Sequence, residues 1–298
     1  MVDPRLLLLS SSSCIIVCVC CVLIFLRLRA GKGGDAGGGG PGVGYSPSSN
    51  RAVLSLDNVL KKNQPPFNTK YVGNPERLSV KDGVLTIRYA KNAYGGSSGG
   101  KFSALPKPLP SEAVEFGFDI YFPDSFEWKK GGKLPGVCLG RAGSGDCAVA
   151  SRWKTGEGSV RFMWRSRDNK SAYIIAYVYL PSGNSPQAAY KRQGPVYRAA
   201  TDPGDHAGHD VWSGELPIRK GWNSVRMKIA LNTPKKADGL LEVEVNGKVR
   251  RANDVLYRDD SSVVINSLNW VSFFGGGDAS WASPQHDTYT SYKNVYIH

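Results

Sequence analysis

The 298-residue chain reads as all-β: a two-sheet jelly-roll β-sandwich preceded by an N-terminal transmembrane or signal segment and a Gly-rich linker. Three observations predict this. Beyond residue 66, apolar and polar residues alternate with a period of two in many short runs, as in strands that bury one face. Turn chemistry separates the runs, including Asp82-Gly83 and Asn246-Gly247, the latter the strongest short hairpin signal. No long amphipathic helix pattern and no internal repeat interrupts them.

Taken in order, the chain divides at 1–30, 31–65 and 66–298. Leu6–Leu26 is 21 residues without a charge, long enough as a helix to match a bilayer core of roughly 30 Å. Ser10–Ser13 weaken the run, so a cleaved signal peptide competes with a membrane anchor. Gly31–Asn50 is a Gly/Pro/Ser linker that cannot bury a core, and Arg51–Lys62 could form a short helix ending before Pro65-Pro66. Strands are then predicted at Val84–Tyr89, Ala113–Phe122, Asn223–Leu231, Leu240–Val245, Leu268–Phe274 and Tyr292–Ile297. Between them lies Gly158–Leu180, two strands joined by a polar turn. Ser159, Arg161, Met163 and Arg165 share one face of the first strand; Tyr173, Ile175, Tyr177 and Tyr179 share one face of the second.

The net charge is +13, and removing residues 1–50 leaves 34 cations against 23 acids, so the excess belongs to the folded part. That balance favours an anionic partner. Nucleic acid is not expected: there is no basic helix, zinc-finger spacing or RNA-binding signature. Four of the six cysteines fall in the apolar N-terminal stretch, leaving Cys138 and Cys147 in a Gly-rich segment read as a loop. Without a CxxC or a nearby His, a metal site is not predicted, and a loop-closing disulfide is expected in an oxidising compartment. Asn169-Lys170-Ser171 is a glycosylation acceptor in a predicted turn. The charge flanking Leu6–Leu26 would leave the domain in the cytosol. The disulfide and the acceptor argue instead for a lumenal or extracellular domain, secreted if the segment is cleaved.

Several residues could carry chemistry. Lys133, in Gly131-Gly132-Lys133-Leu134-Pro135-Gly136, sits in what reads as a constrained turn. Arg161 and Arg165 offer guanidinium forks that match a carboxylate bidentately. Tyr173, Tyr177 and Tyr179 form a phenol row, and nearby cations are expected to lower a phenol's pKa. His206 and His209 read as a solvated loop. Glu242 and Glu244 read as a charged outer face rather than a glycosidase pair. Trp270, Phe273, Phe274 and Trp281 could stack on sugars, although core packing is their default.

GGKLPG, the Gly-rich segment with Cys138, GSVRFMWR, a turn, YVY, then GLLEVEVNGK and FFGGGDASWA together resemble the family-14 polysaccharide lyases, which include alginate and glucuronic-acid-polymer lyases. The resemblance spans Tyr71 to His298. It implies a β-jelly roll and β-elimination on an acidic polysaccharide without a metal or organic cofactor. It places the catalytic lysine on Lys133, the Ser-x-Arg pair on Ser159 and Arg161, and the Tyr-x-Tyr pair on Tyr177 and Tyr179. Lys133 and Arg161 are expected to neutralise the substrate carboxylate, and Tyr179 to act as base or acid with Tyr177 or Lys133 as its counterpart. Ser159, Arg165 and Tyr173 are expected to bind substrate. The expected protein is a monomer whose N-terminal segment meets the membrane. Two alternatives are a tethered carbohydrate-binding module without catalysis and an adhesion domain without groove chemistry. Convergence of the Lys133 amine, the Arg161 guanidinium and the Tyr179 hydroxyl on one cleft separates them.

Overall fold

The computed structural model describes residues 52–143, 147, 157–179, 197–199 and 208–298, the side chains of 197–199, 209 and 213 excepted. The predicted anchor and most of the linker lie outside these residues. Among the described residues no helix is long and apolar enough to cross a membrane.

Fifteen strands occur among the described residues. They are β1 (Thr69–Gly73), β2 (Leu78–Lys81), β3 (Val84–Tyr89), β4 (Gly100–Ala104), β5 (Ala113–Phe122), β6 (Gly131–Arg141), β7 (Gly158–Arg165) and β8 (Ala172–Tyr179). The rest are β9 (Tyr197–Ala199), β10 (His209–Ile218), β11 (Gly221–Ala230), β12 (Gly239–Val245), β13 (Lys248–Val255), β14 (Val263–Phe274) and β15 (Thr288–Ile297). They form an eight-stranded sheet in the order β1-β4-β14-β6-β7-β8-β10-β9 and a seven-stranded sheet in the order β13-β12-β11-β5-β15-β3-β2.

The core lies between the sheets because the period-two pattern gives each an apolar inner face. Strand β5 turns Val114, Phe116, Phe118, Ile120 and Phe122 inward, while β7 turns Val160, Phe162 and Trp164 the same way. Phe118 meets Phe162 edge-on at 5.7 Å, and Phe102 stacks on Trp270 at 5.4 Å. Strands predicted from alternation appear within a few residues of their expected bounds, and Asn246-Gly247 joins β12 to β13.

Three readings need correction. GGKLPG is the start of β6, not a turn, and Cys138 lies within that strand rather than in a loop. Gly132 and Gly136 let β6 approach its neighbours: a Cβ would fall 2.0 Å from the Trp164 ring in the first case and 2.2 Å from the Val160 carbonyl oxygen in the second. Residues 57–60 form turns rather than a helix. The folded unit also starts before residue 66, since Leu56 and Val59 are buried and the Leu54 N–H bonds to the Val295 carbonyl at 2.7 Å.

Candidate active site

The site is a patch on the outer face of the eight-stranded sheet, where β6, β7, β8 and β10 run side by side. Cross-strand register assembles it. Gly136 faces Arg161, Arg161 faces Tyr177, and Tyr177 faces Asp210; one step along, Cys138, Ser159 and Tyr179 form a second row. Directly paired residues on antiparallel strands share a face, so the alternation that buries Phe162 brings these polar groups together. Between Lys133 and Gly136 the register with β7 slips by one residue. Pro135, which has no N–H to give the ladder, falls in this bulge, and a bulge re-aims the neighbouring side chain.

Lys133, Arg161 and Tyr179 lie close together on this face, their basic groups ranged around the tyrosine rings. Lys133 Nζ lies 3.0 Å from the centroid of the Tyr177 ring and 5.7 Å from that of Tyr179. The Arg161 guanidinium carbon is 5.5 Å from the Tyr179 ring centroid, and Arg161 Nε donates to Ser159 Oγ at 3.2 Å. All are largely buried: Lys133 and Tyr179 are 9 % exposed, Tyr177 7 % and Arg161 6 %. Tyr177 and Tyr179 pack with Met163, Ile175 and Tyr173 in a small apolar cluster that makes the floor.

Burial sets the proton affinities. It holds the Lys133 amine well below the usual lysine value, and the Arg161 and Arg165 charges push the same way, with Asp210 opposing. Burial also lowers Arg161, against the pull of Tyr179 and Tyr177. Tyr177 is raised, by burial first and then by Tyr179; the Gly208 hydrogen bond and Arg165 only partly offset this. The expected cation-driven fall in phenol pKa is therefore reversed at Tyr177, because desolvation of the phenolate outweighs the nearby charge. The Tyr177 hydroxyl oxygen accepts from the Gly208 N–H at 2.9 Å and from the Tyr179 hydroxyl at 3.3 Å. Its own proton is then left to point elsewhere.

Arg165 is held by a carboxylate of its own. Asp210 grips its guanidinium bidentately, at 2.9 Å to Nε and 2.8 Å to the terminal nitrogen. Asp210 carries no local sequence signal of this role, standing beside His206 and His209 in a Gly-containing stretch. His206 and the His209 side chain lie outside the described residues. The pairing of Asp210 with Tyr177 is a long-range register that no local spacing announces. Tyr173 lies on the floor opposite Arg165. Cys138 is joined to Cys147 with their Cα atoms 4.9 Å apart, next to the Ser159–Tyr179 row. Asn169 sits in the exposed β7–β8 turn, where its side-chain oxygen accepts the Lys129 N–H at 2.7 Å. Glu242 and Glu244 belong to the other sheet, where both pair with Arg226, at 2.8 and 2.7 Å. Among the described residues no three His, Cys, Asp or Glu side chains gather as metal ligands would.

Fold and site together define a class: a two-sheet β-sandwich carrying a lysine–arginine–tyrosine cluster on the outer face of one sheet. Residues 78–295 match polysaccharide lyase 14, and the chain belongs to that family. It is 27% identical over 220 residues to Exolysin of Paramecium bursaria Chlorella virus 1, a match covering 70% of this chain but only 33% of that relative. The PL-14 alginate lyase of Aplysia kurodai superposes with a TM-score of 0.67 at 24% identity, over 83% of this chain and 97% of that one. A variant of the alginate lyase Aly36B, in complex with alginate trisaccharide, superposes with a TM-score of 0.60 at 22% identity, over 76% and 86% of the two chains.

Proposed function

We propose that this domain is a polysaccharide lyase that cleaves a uronate polymer, alginate or a glucuronic-acid polymer, by β-elimination. One observation carries the reading: Lys133, Arg161, Tyr177 and Tyr179 meet on one sheet face, with the lysine desolvated and close to the Tyr177 ring. Family membership and the likeness to alginate lyases support it.

The chemistry follows from the proton affinities. In a 4-linked uronate the C5 proton lies next to the carboxylate. Arg161, oriented by Ser159, neutralises that carboxylate, so negative charge can develop as the C5–H bond breaks. Lys133, whose burial disfavours the ammonium form, takes the proton. In this reading Lys133 serves as the acid–base partner, and Arg161 carries the charge neutralisation. The C5 electron pair forms the C4–C5 double bond and the C4–O4 bond breaks. The departing oxygen takes a proton from Tyr177, whose raised pKa keeps it protonated, and Tyr179 is placed to replace that proton through the hydroxyl contact. No step calls on a metal or organic cofactor. The basic surface gathers the polyanion, a contribution that weakens with salt.

The test is ultraviolet absorbance of the unsaturated uronate product from a panel of mannuronate, guluronate and glucuronate polymers. The full chain should generate product and Lys133→Ala should not. Binding without product by the unaltered protein would favour the non-catalytic module instead. The Cys138–Cys147 pairing and the exposed Asn169 turn support our further proposal that the domain faces a lumenal or extracellular space, delivered there by the 6–26 segment as anchor or signal.

A further inference from the structure

Contacts between basic side chains and aromatic rings continue beyond Lys133. The Arg165 guanidinium carbon lies 5.8 Å from the Tyr177 ring centroid and 4.9 Å from that of Trp281, so one guanidinium bridges the two rings. Past Trp281, Lys130 Nζ lies 5.7 Å from the indole centroid and donates to Ser280 Oγ at 2.7 Å. Lys133, Tyr177, Arg165, Trp281 and Lys130 therefore form one unbroken track. Strand β7 sets its direction: from Arg161 to Arg165 the chain advances about 13 Å, room for more than one further sugar.

The local sequence holds the indole in this position. Residues 279–281 make a 3-10 turn, started by Asp278, whose carboxylate accepts the Ser280 N–H at 2.8 Å. Gly276 leaves space beside the ring, where a Cβ would come within 2.5 Å of it. Trp270 and Phe274, in the same stretch of sequence, are fully buried in the core, whereas Trp281 is half-buried and Lys130 is exposed. A uronate ring offers an apolar C–H face and a carboxylate. An indole suits the first and an ammonium the second.

We infer that Trp281 and Lys130 form a distal subsite for a uronate unit away from the scissile bond, on the Arg165 side of the Lys133–Tyr177 cluster. The inference rests on the lyase reading above. Trp281 stacks on the sugar and Lys130 pairs with its carboxylate. Arg165, already held by Asp210, is the rigid piece that joins this subsite to Tyr177. A chain long enough to reach the subsite is then held better than a short one.

The full chain and its Trp281→Ala, Trp281→Phe and Lys130→Ala variants, assayed on size-fractionated uronate oligosaccharides, test this. For Trp281→Ala, kcat/KM on the polymer and longest oligomers should fall about tenfold through KM, the cost of losing one good contact side chain. The loss should shrink stepwise as the oligomers shorten. Trp281→Phe should retain most of the activity. Lys130→Ala should show the same length dependence, with the deficit closing at high salt. An equal loss at every length would mean that Trp281 only props Arg165, and no loss at any length would remove the subsite; either overturns the inference. If the unaltered chain converts none of the oligomers, the lyase reading fails first. Calorimetric affinities for long and short oligomers then judge the subsite separately, a length-independent effect of Trp281→Ala again rejecting it.

Discussion

Replacing Lys133 with methionine should abolish turnover and stabilise the fold, by an amount that depends on pH in a defined way. Methionine roughly matches the lysine stem in volume and is at home beside the Tyr177 ring. The lysine amine is desolvated and faces the Arg161 and Arg165 charges, so its folded pKa lies well below the ordinary 10.5. The unfolded chain then binds more protons than the folded one from that lowered pKa up to 10.5. Linkage makes wild-type stability rise with pH across this window, by up to about 1.4 kcal/mol per pH unit for one proton. The variant lacks the group, so its advantage should be greatest at the low-pH end and vanish near the ordinary lysine value. Between pH 8 and 10 the gap should narrow as pH rises, and the two melting temperatures should converge. Paired thermal melts in matched buffers, or denaturant titrations at fixed temperature, read the gap. A gap that stays constant over this range would mean the folded amine keeps its proton, and the base assignment would fall with it.

Other perturbations reach different parts of the structure. Arg226 is held by Glu242 and Glu244 and lies 3.5 Å from Glu115. Arg226→Met should therefore cost about 2–3 kcal/mol at neutral pH by leaving three carboxylates together. Chemical denaturation of the variant beside the unaltered protein checks it. Cys138→Ser opens a closure spanning a sequence separation of 9 and should cost about 2.5 kcal/mol by loop entropy, seen as a lower melting temperature that reductant does not lower further. Asp210→Asn removes the one charge that raises the Lys133 pKa, so the acid limb of the rate profile should move to lower pH; movement to higher pH would contradict the electrostatic account.

The hairpin that carries most of the site was legible because alternation in GSVRFMWR and AYIIAYVY assigns each side chain to a face. Once one face is apolar, the pleat leaves Ser159, Arg161, Tyr177 and Tyr179 nowhere but the other. GGKLPG was not legible as a strand because Gly and Pro are poor strand formers. They are present because β6 must approach β7 closely and bulge beside Lys133, a requirement set by neighbours rather than by local preference. Asp210 was hidden for a related reason: its partners Tyr177 and Arg165 lie 33 and 45 residues away in the chain. Composition could not separate Trp281 from Trp270 either. The one sits on a 3-10 turn among cations and the other in the core between Phe102 and Tyr292. The direction of the pKa shifts also escaped prediction, because it depends on how much solvent is lost and not on which residues are adjacent.

The pH dependence of kcat/KM on a uronate polymer, measured with the unaltered full chain, bears most directly on Lys133 as the neutral base. With Lys133 as that base and Tyr177 as a donor of raised pKa, activity should rise through an acid limb well below the ordinary lysine value and then hold a plateau on the alkaline side. Activity that rises only near the ordinary lysine value, or is already lost as pH climbs past neutrality, would contradict the account.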